Sequence, residues 1–446
     1  MKLRTIAASL LAFALFTTGL LVAAPATATA EAGPLSPQNH TPDGLFQALA
    51  SPQRFLDTRA GTGGVNSSGA PIGIGGWTGQ LGVSQIINVA IAGRLGVPAA
   101  NVVKAVAMNV TVVDPTGSGF ITIWPGLLTR PDSSNVNYTT GANVPNFVIV
   151  PVGTNGEIQA FNGANDGVAR GHLLFDVVGY YTTNLGPAVG GSFSPLSLRF
   201  FDSRSPVSLA QRGAGAVDFL PPGKWRKVRD SLYDPLFPTY VFNVTVTESS
   251  GDGFLSVVPG DRVGAPAPSV SNLNFRRGFD VANLVIVKPD ATGTFSIFNG
   301  GAGALHVIFD FVGFYDDGTV PAAGSLEARA QGPFRFSDSR TNLNRGTVQT
   351  NADGITVTLD VAADTRIPAT ADSLIINVTA IPGSGNGFLT LFTGPNRPDT
   401  STLNFKAGQV IPNLAIVGIS GDRKIRFFVS RDVDLHVILD VMGWIE

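Results

Sequence analysis

The sequence predicts an all-β fold: three tandem β-sandwich repeats, jelly-roll-like, with roughly eight strands each. Three observations carry this. A closing motif, His172-Leu-Leu-Phe-Asp176-Val-Val-Gly179-Tyr-Tyr181, returns as His306-Val-Ile-Phe-Asp310-Phe-Val-Gly313-Phe-Tyr315 and as His436-Val-Ile-Leu-Asp440-Val-Met-Gly443-Trp-Ile445. Apolar and polar residues alternate with period two in the middle of each copy, the mark of a strand with unlike faces. Short Gly-bearing turns separate these runs and no segment carries the 3.6-residue period of an amphipathic helix.

In chain order, Lys2 and Arg4 precede the uncharged run Ile6–Ala24, and Ala28-Thr29-Ala30 supplies small residues at a cleavage position. Residues 1–30 therefore read as a secretory signal peptide, the alternative being an uncleaved anchor, since the run is long enough to span a bilayer. Residues 31–50, rich in Pro, Ala and Gly, read as a flexible leader. The repeats are placed at 51–183, 193–316 and 325–446, each opening alike on Arg54-Phe-Leu-Asp57-Thr-Arg59, Arg199-Phe-Phe-Asp202-Ser-Arg204 or Arg335-Phe-Ser-Asp338-Ser-Arg340. A variable region follows, Gly-rich over 61–82 in the first copy and Pro221-Pro-Gly-Lys224-Trp225 in the second. Variable loops on a shared scaffold are where binding differences reside.

Tyr240–Thr247 is the clearest strand, with Phe242, Val244 and Val246 on one face and Asn243 and Thr245 on the other. A turn at Gly117, Gly251 or Gly385 leads to the next strand at Phe120, Phe254 or Phe388. The segments Ser134-Asn135-Val136-Asn137, Ser271-Asn272-Leu273-Asn274 and Ser401-Thr402-Leu403-Asn404 precede short strands apolar on both sides, Val144–Val150, Val281–Val287 and Ile411–Val417. A propeller blade needs only about 40 to 50 residues, so a period of 134 and then 130 residues between closing motifs is read as three separate sandwiches joined by short linkers. The alternative has the three copies packed around a pseudo-threefold axis.

The chain has no Cys, so disulfides do not staple it, and a repeat of this size can bury an ordinary core instead. Charged residues make up 14% of the sequence and the net charge is −2. That balance excludes a nucleic-acid binder, which needs a basic stripe. After the signal no stretch approaches a membrane span.

The quoted motifs Phe-Leu-Asp-Thr-Arg, Asn-Val-Thr, Ser-Asn-Val-Asn and His-x3-Asp-Val-Val-Gly-Tyr-Tyr resemble a tandem β repeat of secreted actinobacterial proteins. The resemblance covers residues 51–446. It implies export and a repeat found alone or beside enzymatic modules, with no assigned activity. The third copy departs from the pattern at Thr402 and at Trp444-Ile445.

The strongest chemical candidates are His172 and Asp176, with His306/Asp310 and His436/Asp440. On a helix a four-residue spacing would bring them together; on a strand it spans about 13 Å, so each is expected to pair with an Arg or Asn of a neighbouring strand. No further His, Cys or Glu completes a ligand set, and no metal or cofactor is expected. Asp57/Arg59, Asp202/Arg204 and Asp338/Arg340 are read as structural, either buried ion pairs or groups that satisfy turn backbone. A hydrolase reading would recruit Thr58, Ser203 or Ser339 as nucleophile with a repeat His as base, yet no nucleophile elbow is present. The Asn-x-Thr sequons at Asn109, Asn243 and Asn377 fall mid-strand. Trp77 and Trp225, in variable loops, are candidate binding aromatics, while Trp124 is read as core. Together these features predict a secreted, non-catalytic protein, extracellular or loosely held to the cell envelope, that binds polysaccharide or another extracellular protein. The alternatives are a secreted hydrolase of unrecognised type and a purely structural surface component.

Overall fold

The computed structural model describes residues 43–59, 62–63, 79–164, 167–186, 190–205, 210–212, 218–319, 324–328, 333–344, 347–351, 354–430 and 433–446. The segment read as a signal peptide and Trp77 lie outside these residues. All regular structure described is β-strand, and no helix among the described residues is long and apolar enough to cross a membrane.

The expectation of three jelly-roll-like sandwiches is corrected. The described strands form six small antiparallel sheets of four or five strands, arranged as the six blades of a β-propeller. Each repeat supplies two sheets, the chain crossing back and forth between them several times. In the first repeat Thr62–Gly63, Phe46–Asp57, His172–Thr182, Val103–Val113 and Val144–Pro151 make one sheet, and Ile86–Ala90, Glu157–Ala164, Gly119–Pro125 and Val136–Tyr138 the other. Because neither sheet is contiguous in sequence, the shorter blade length has no counterpart in the sequence period. The strand Phe46–Asp57 also begins inside the stretch 31–50 read as leader, with Phe46 buried.

The alternation read in Tyr240–Thr247 has a physical basis on both sides. Phe242, Val244 and Val246 join the core of their own repeat, whereas Val241 joins a second core shared by all three. That shared core also takes Phe46, Ala105, Ala107, Phe147 and Tyr181 from the first repeat, and Ile375, Leu414, Met442 and Ile445 from the third. Each of Val103–Val113, Thr239–Thr247 and Ser373–Ser384 is therefore buried on both faces and flanked by strands on both sides.

The closing motif contains a β-bulge in every copy. Its register slips between Ala107 and Met108, between Val241 and Phe242, and between Ile375 and Ile376. The extra residue shifts the phase of the strand: Phe175 and Val177 face the repeat's own core, and Val178 and Tyr181 face the shared one. Gly313 follows the bulge because a Cβ there would collide with the Phe193 ring and the Ser194 carbonyl.

Candidate functional site

Every candidate residue from the closing motif lies on the strands His172–Thr182, His306–Tyr315 or Asp434–Ile445. His and Asp of one motif do not meet. Arg54 grips Asp176 with two prongs, Nε–Oδ1 2.7 Å and Nη2–Oδ2 2.9 Å, and donates from Nη1 to Asp57 at 3.0 Å. Arg199 does the same for Asp310 and Asp202, and Arg335 for Asp440 and Asp338. The second Arg of each opening motif closes the cluster: Arg59, Arg204 and Arg340 donate to Asp57, Asp202 and Asp338.

Burial and ion pairing act differently on the two carboxylates. Burial pushes Asp176 and Asp440 up, and Asp310 up to about 6, with the Arg partner opposing. Asp57 and Asp202, also desolvated, are held below the ordinary range by Arg59 and Arg204, and Asp338 is lowered to about 2, chiefly by its hydrogen bond from Arg340. These are opposed charges in fixed geometry, each buried carboxylate satisfied by a fork of donors.

The histidines find hydroxyls, not the Arg or Asn expected. His172 Nδ1 lies 3.1 Å from Thr58 Oγ1, His306 Nδ1 2.8 Å from Ser203 Oγ, and His436 Nδ1 3.2 Å from Ser339 Oγ. Each hydroxyl oxygen also accepts a backbone N–H, from Leu173, Val307 or Val437. Thr58 and Ser203 are 0% and 2% exposed, so neither oxygen can be reached by a substrate. Burial also lowers His306, whose ring packs 3.9 Å from that of Phe219. The hydroxyl–histidine pairs fasten the turn after each opening strand to its neighbour.

Trp225 does not lie in a loop. It begins the strand Trp225–Asp230, is half-buried against Phe298, and donates its indole N–H to Ala265 O at 2.8 Å. Trp124 is buried and bonded to Leu128 O. The basic residues beside Trp225 are spoken for in part: Arg226 pairs with Asp218 and Lys227 with Asp261. Among the described residues no group of three or more His, Cys, Asp or Glu could hold a metal ion.

The sequon asparagines are buried and build an amide ring between repeats. Asn283 Nδ2 donates to Asn109 Oδ1 at 2.8 Å, Asn413 to Asn243 at 2.9 Å, and Asn146 to Asn377 at 2.9 Å. Second to first, third to second, first to third: the contacts run in one cyclic sense. Asn109, Asn243 and Asn377 return the contact by donating to the carbonyls of Ser271, Ser401 and Ser134. The ring residues Asn146, Asn283 and Asn413 carry no role in the sequence reading, although an Asn inside an apolar strand run, three times over, is a signal, because a buried amide must find partners.

On one side of this ring, toward Ala105, Val241 and Ile375, the axis is the apolar shared core. On the other it opens into a pocket of about 100 Å³. Equivalent residues of all three repeats line it, among them Asn137, Asn274 and Asn404, and Val144, Val281 and Ile411. The repeats differ along its lining, where Ala142, Phe279 and Gln409 correspond, as do Thr139 and Arg276; the third-repeat counterpart of these last two, Lys406, is not part of the lining. Arg276 Nη2 donates to Gly141 O of the first repeat, and Lys406 Nζ to Gly278 O of the second at 2.6 Å. None of the three repeat histidines lines the pocket.

No family model matches the chain and no curated protein matches it. Three of the solved structures that overlap it do so at low TM-score. The M60 catalytic domain with the CBM51-1 and CBM51-2 domains from Clostridium perfringens ZmpB aligns over 91% of this chain at 8% identity and TM-score 0.16, and this chain spans 38% of its length. The CBM22-1-CBM22-2 tandem domain from Paenibacillus barcinonensis Xyn10C aligns over 60% of this chain and 97% of its own, at 12% identity and TM-score 0.17. Procruciferin, an 11S globulin from Brassica napus, covers 53% of this chain and 84% of its own, at 10% identity and TM-score 0.12.

Proposed function

We propose that this is an exported, non-catalytic binding protein, extracellular or loosely held at the cell envelope, with polysaccharide or another extracellular protein as ligand. One observation carries the reading: the residues that could do chemistry are occupied in holding the fold, and the cavity on the axis contains none of them. The Asp residues are gripped by Arg, the Thr58 and Ser203 oxygens are buried, the more exposed Ser339 oxygen accepts the Val437 N–H beside His436, and the pocket is lined chiefly by amides and apolar side chains, with Arg276 and Asp280 exposed. Such a lining suits recognition, with a few polar groups setting orientation among apolar walls. Export rests on the charged start, apolar run and small-residue site of residues 1–30.

Retention on purified cell wall and on immobilised glycans tests this. Binding at micromolar protein is expected, and no retention on any wall fraction or extracellular protein array would count against it. Hydrolysis in a broad substrate panel, abolished by His172→Ala with the fold intact, would replace this reading with the hydrolase one.

A further inference from the structure

We infer that the axial pocket is a binding site for a single neutral sugar ring, the ligand being either a free monosaccharide or the end of a glycan chain. The inference rests on the binding reading above and adds the place and the chemistry.

The floor determines the class. Asn137 Nδ2 donates to Ser134 Oγ at 3.1 Å, Asn274 to Ser271 at 3.5 Å and Asn404 to Ser401 at 3.4 Å. Each amide thus has one N–H turned toward a serine of its own repeat, and among the described residues its Oδ1 accepts no hydrogen bond, which leaves that oxygen and the second N–H for a ligand. The pocket thus offers neutral amides from three repeats, each able to accept and to donate, which match hydroxyls arranged around a ring because a hydroxyl also does both. The two charges of the lining, Arg276 and Asp280, are of opposite sign and both exposed, so the lining favours neither an anion nor a cation. Asp280, the one acidic residue of the lining, is exposed at the rim.

The walls add the second half of the recognition. Phe279 presents an aromatic ring and Val144, Val281 and Ile411 an apolar collar, a surface for the C–H faces of a sugar. Lys406 Nζ lies 3.9 Å from the centre of the Phe279 ring, which fixes that ring in place. A volume of about 100 Å³ holds roughly seven to ten water-sized positions, room for one ring and its hydroxyls but not for a second.

The fingerprint of the site is its threefold origin with unequal walls: only the second repeat brings aromatic rings, and since Phe275 is buried in that repeat's own core, the ring plane of the ligand is set by Phe279. The test uses the full chain after removal of residues 1–30, with glucose, galactose, mannose, arabinose and N-acetylglucosamine as free probes and purified cell-wall glycan as the polymeric one. Asn274→Ala removes one floor acceptor, and Ala142→Trp fills the cavity from its rim without touching the amide ring. Retention on wall glycan that falls at least tenfold in both variants, with unchanged thermal unfolding, is the expected result. Competition by a millimolar monosaccharide identifies a free ring as sufficient, and competition by glycan alone identifies a chain end. Undiminished retention of both variants would overturn the pocket as the site and leave the binding reading standing. No retention and no monosaccharide-induced shift with the unaltered chain would overturn both.

Discussion

Arg199 shows how much a single side chain holds in this protein. It pairs with Asp310, which is 2% exposed, donates to Asp202, and reaches Asp399 O in the third repeat at 2.8 Å. Arg199→Ala leaves a buried carboxylate without its fork and should cost roughly 3 kcal/mol in urea unfolding, with Asp310→Asn in the same chain recovering part of it. A loss under 1 kcal/mol would mean the pair is better hydrated than its burial implies. The carboxylates also give stability opposite pH dependences. Asp338, lowered to about 2, contributes stability present above the ordinary value of 3.8 and lost as pH falls toward 2. Asp316, raised to about 6 by burial, contributes in the reverse sense: its share is complete below 3.8 and lost as pH rises through 6. Its Oδ1 accepts the Ser192 and Gly318 N–H groups, while its Oδ2 has no partner among the described residues. Asp316→Asn should therefore raise the unfolding midpoint at pH 7.5 and leave it nearly unchanged at pH 3.5; an equal shift at both would rule out ionisation as the cause.

At the scale of the strand, the departures of the third copy become intelligible. Asn135 and Asn272 accept the Ile123 and Val257 N–H groups through Oδ1, and Thr402 accepts the Leu391 N–H through Oγ1 at 2.8 Å. The bond survives the change of residue. Ile445 stands where the first two repeats have Tyr181 and Tyr315, whose hydroxyls bond to each other at 2.5 Å inside the shared core. A third buried hydroxyl there would compete for a pair already complete, and an aliphatic side chain avoids that cost. The bulge is the other strand-level device. Gly313→Ala forces a methyl into the Phe193 ring and Ser194 carbonyl and should destabilise by about 2 kcal/mol. Combining it with Phe193→Leu should be less than additive, and strict additivity in a double-mutant cycle would separate the two residues.

Across the molecule, the six sheets act as one body because the shared core and the amide ring belong to no single repeat. Asn283 donates to Asn109 and accepts the Phe147 N–H at 2.9 Å, so Asn283→Ala orphans two buried groups of the first repeat. We expect a loss of about 2–4 kcal/mol in one calorimetric transition for the whole chain, not a separate melting of the second repeat. Residues 193–316 expressed alone should fail to give a folded monomer, since Val241, Leu284 and Ile286 would leave the shared core for solvent. A sharp, independent unfolding transition from that fragment would show that the repeats are separable after all.

The sequence alone determined that the chain is all-β, that it repeats three times, and that the polar positions in its motifs recur together. Strand alternation and turn glycines act over a few residues, so they can be read along the chain. Which polar residues meet was another matter: Asn109 and Asn283 lie 174 residues apart, and nothing in either segment names the other. Two sheets interleaved within each repeat also left no period of their own, so the blade arrangement and the single body were hidden. The tertiary structure decided both, because a buried amide or carboxylate in one repeat is satisfied only when the next repeat closes over it, and the pocket on the axis exists only once all three have done so.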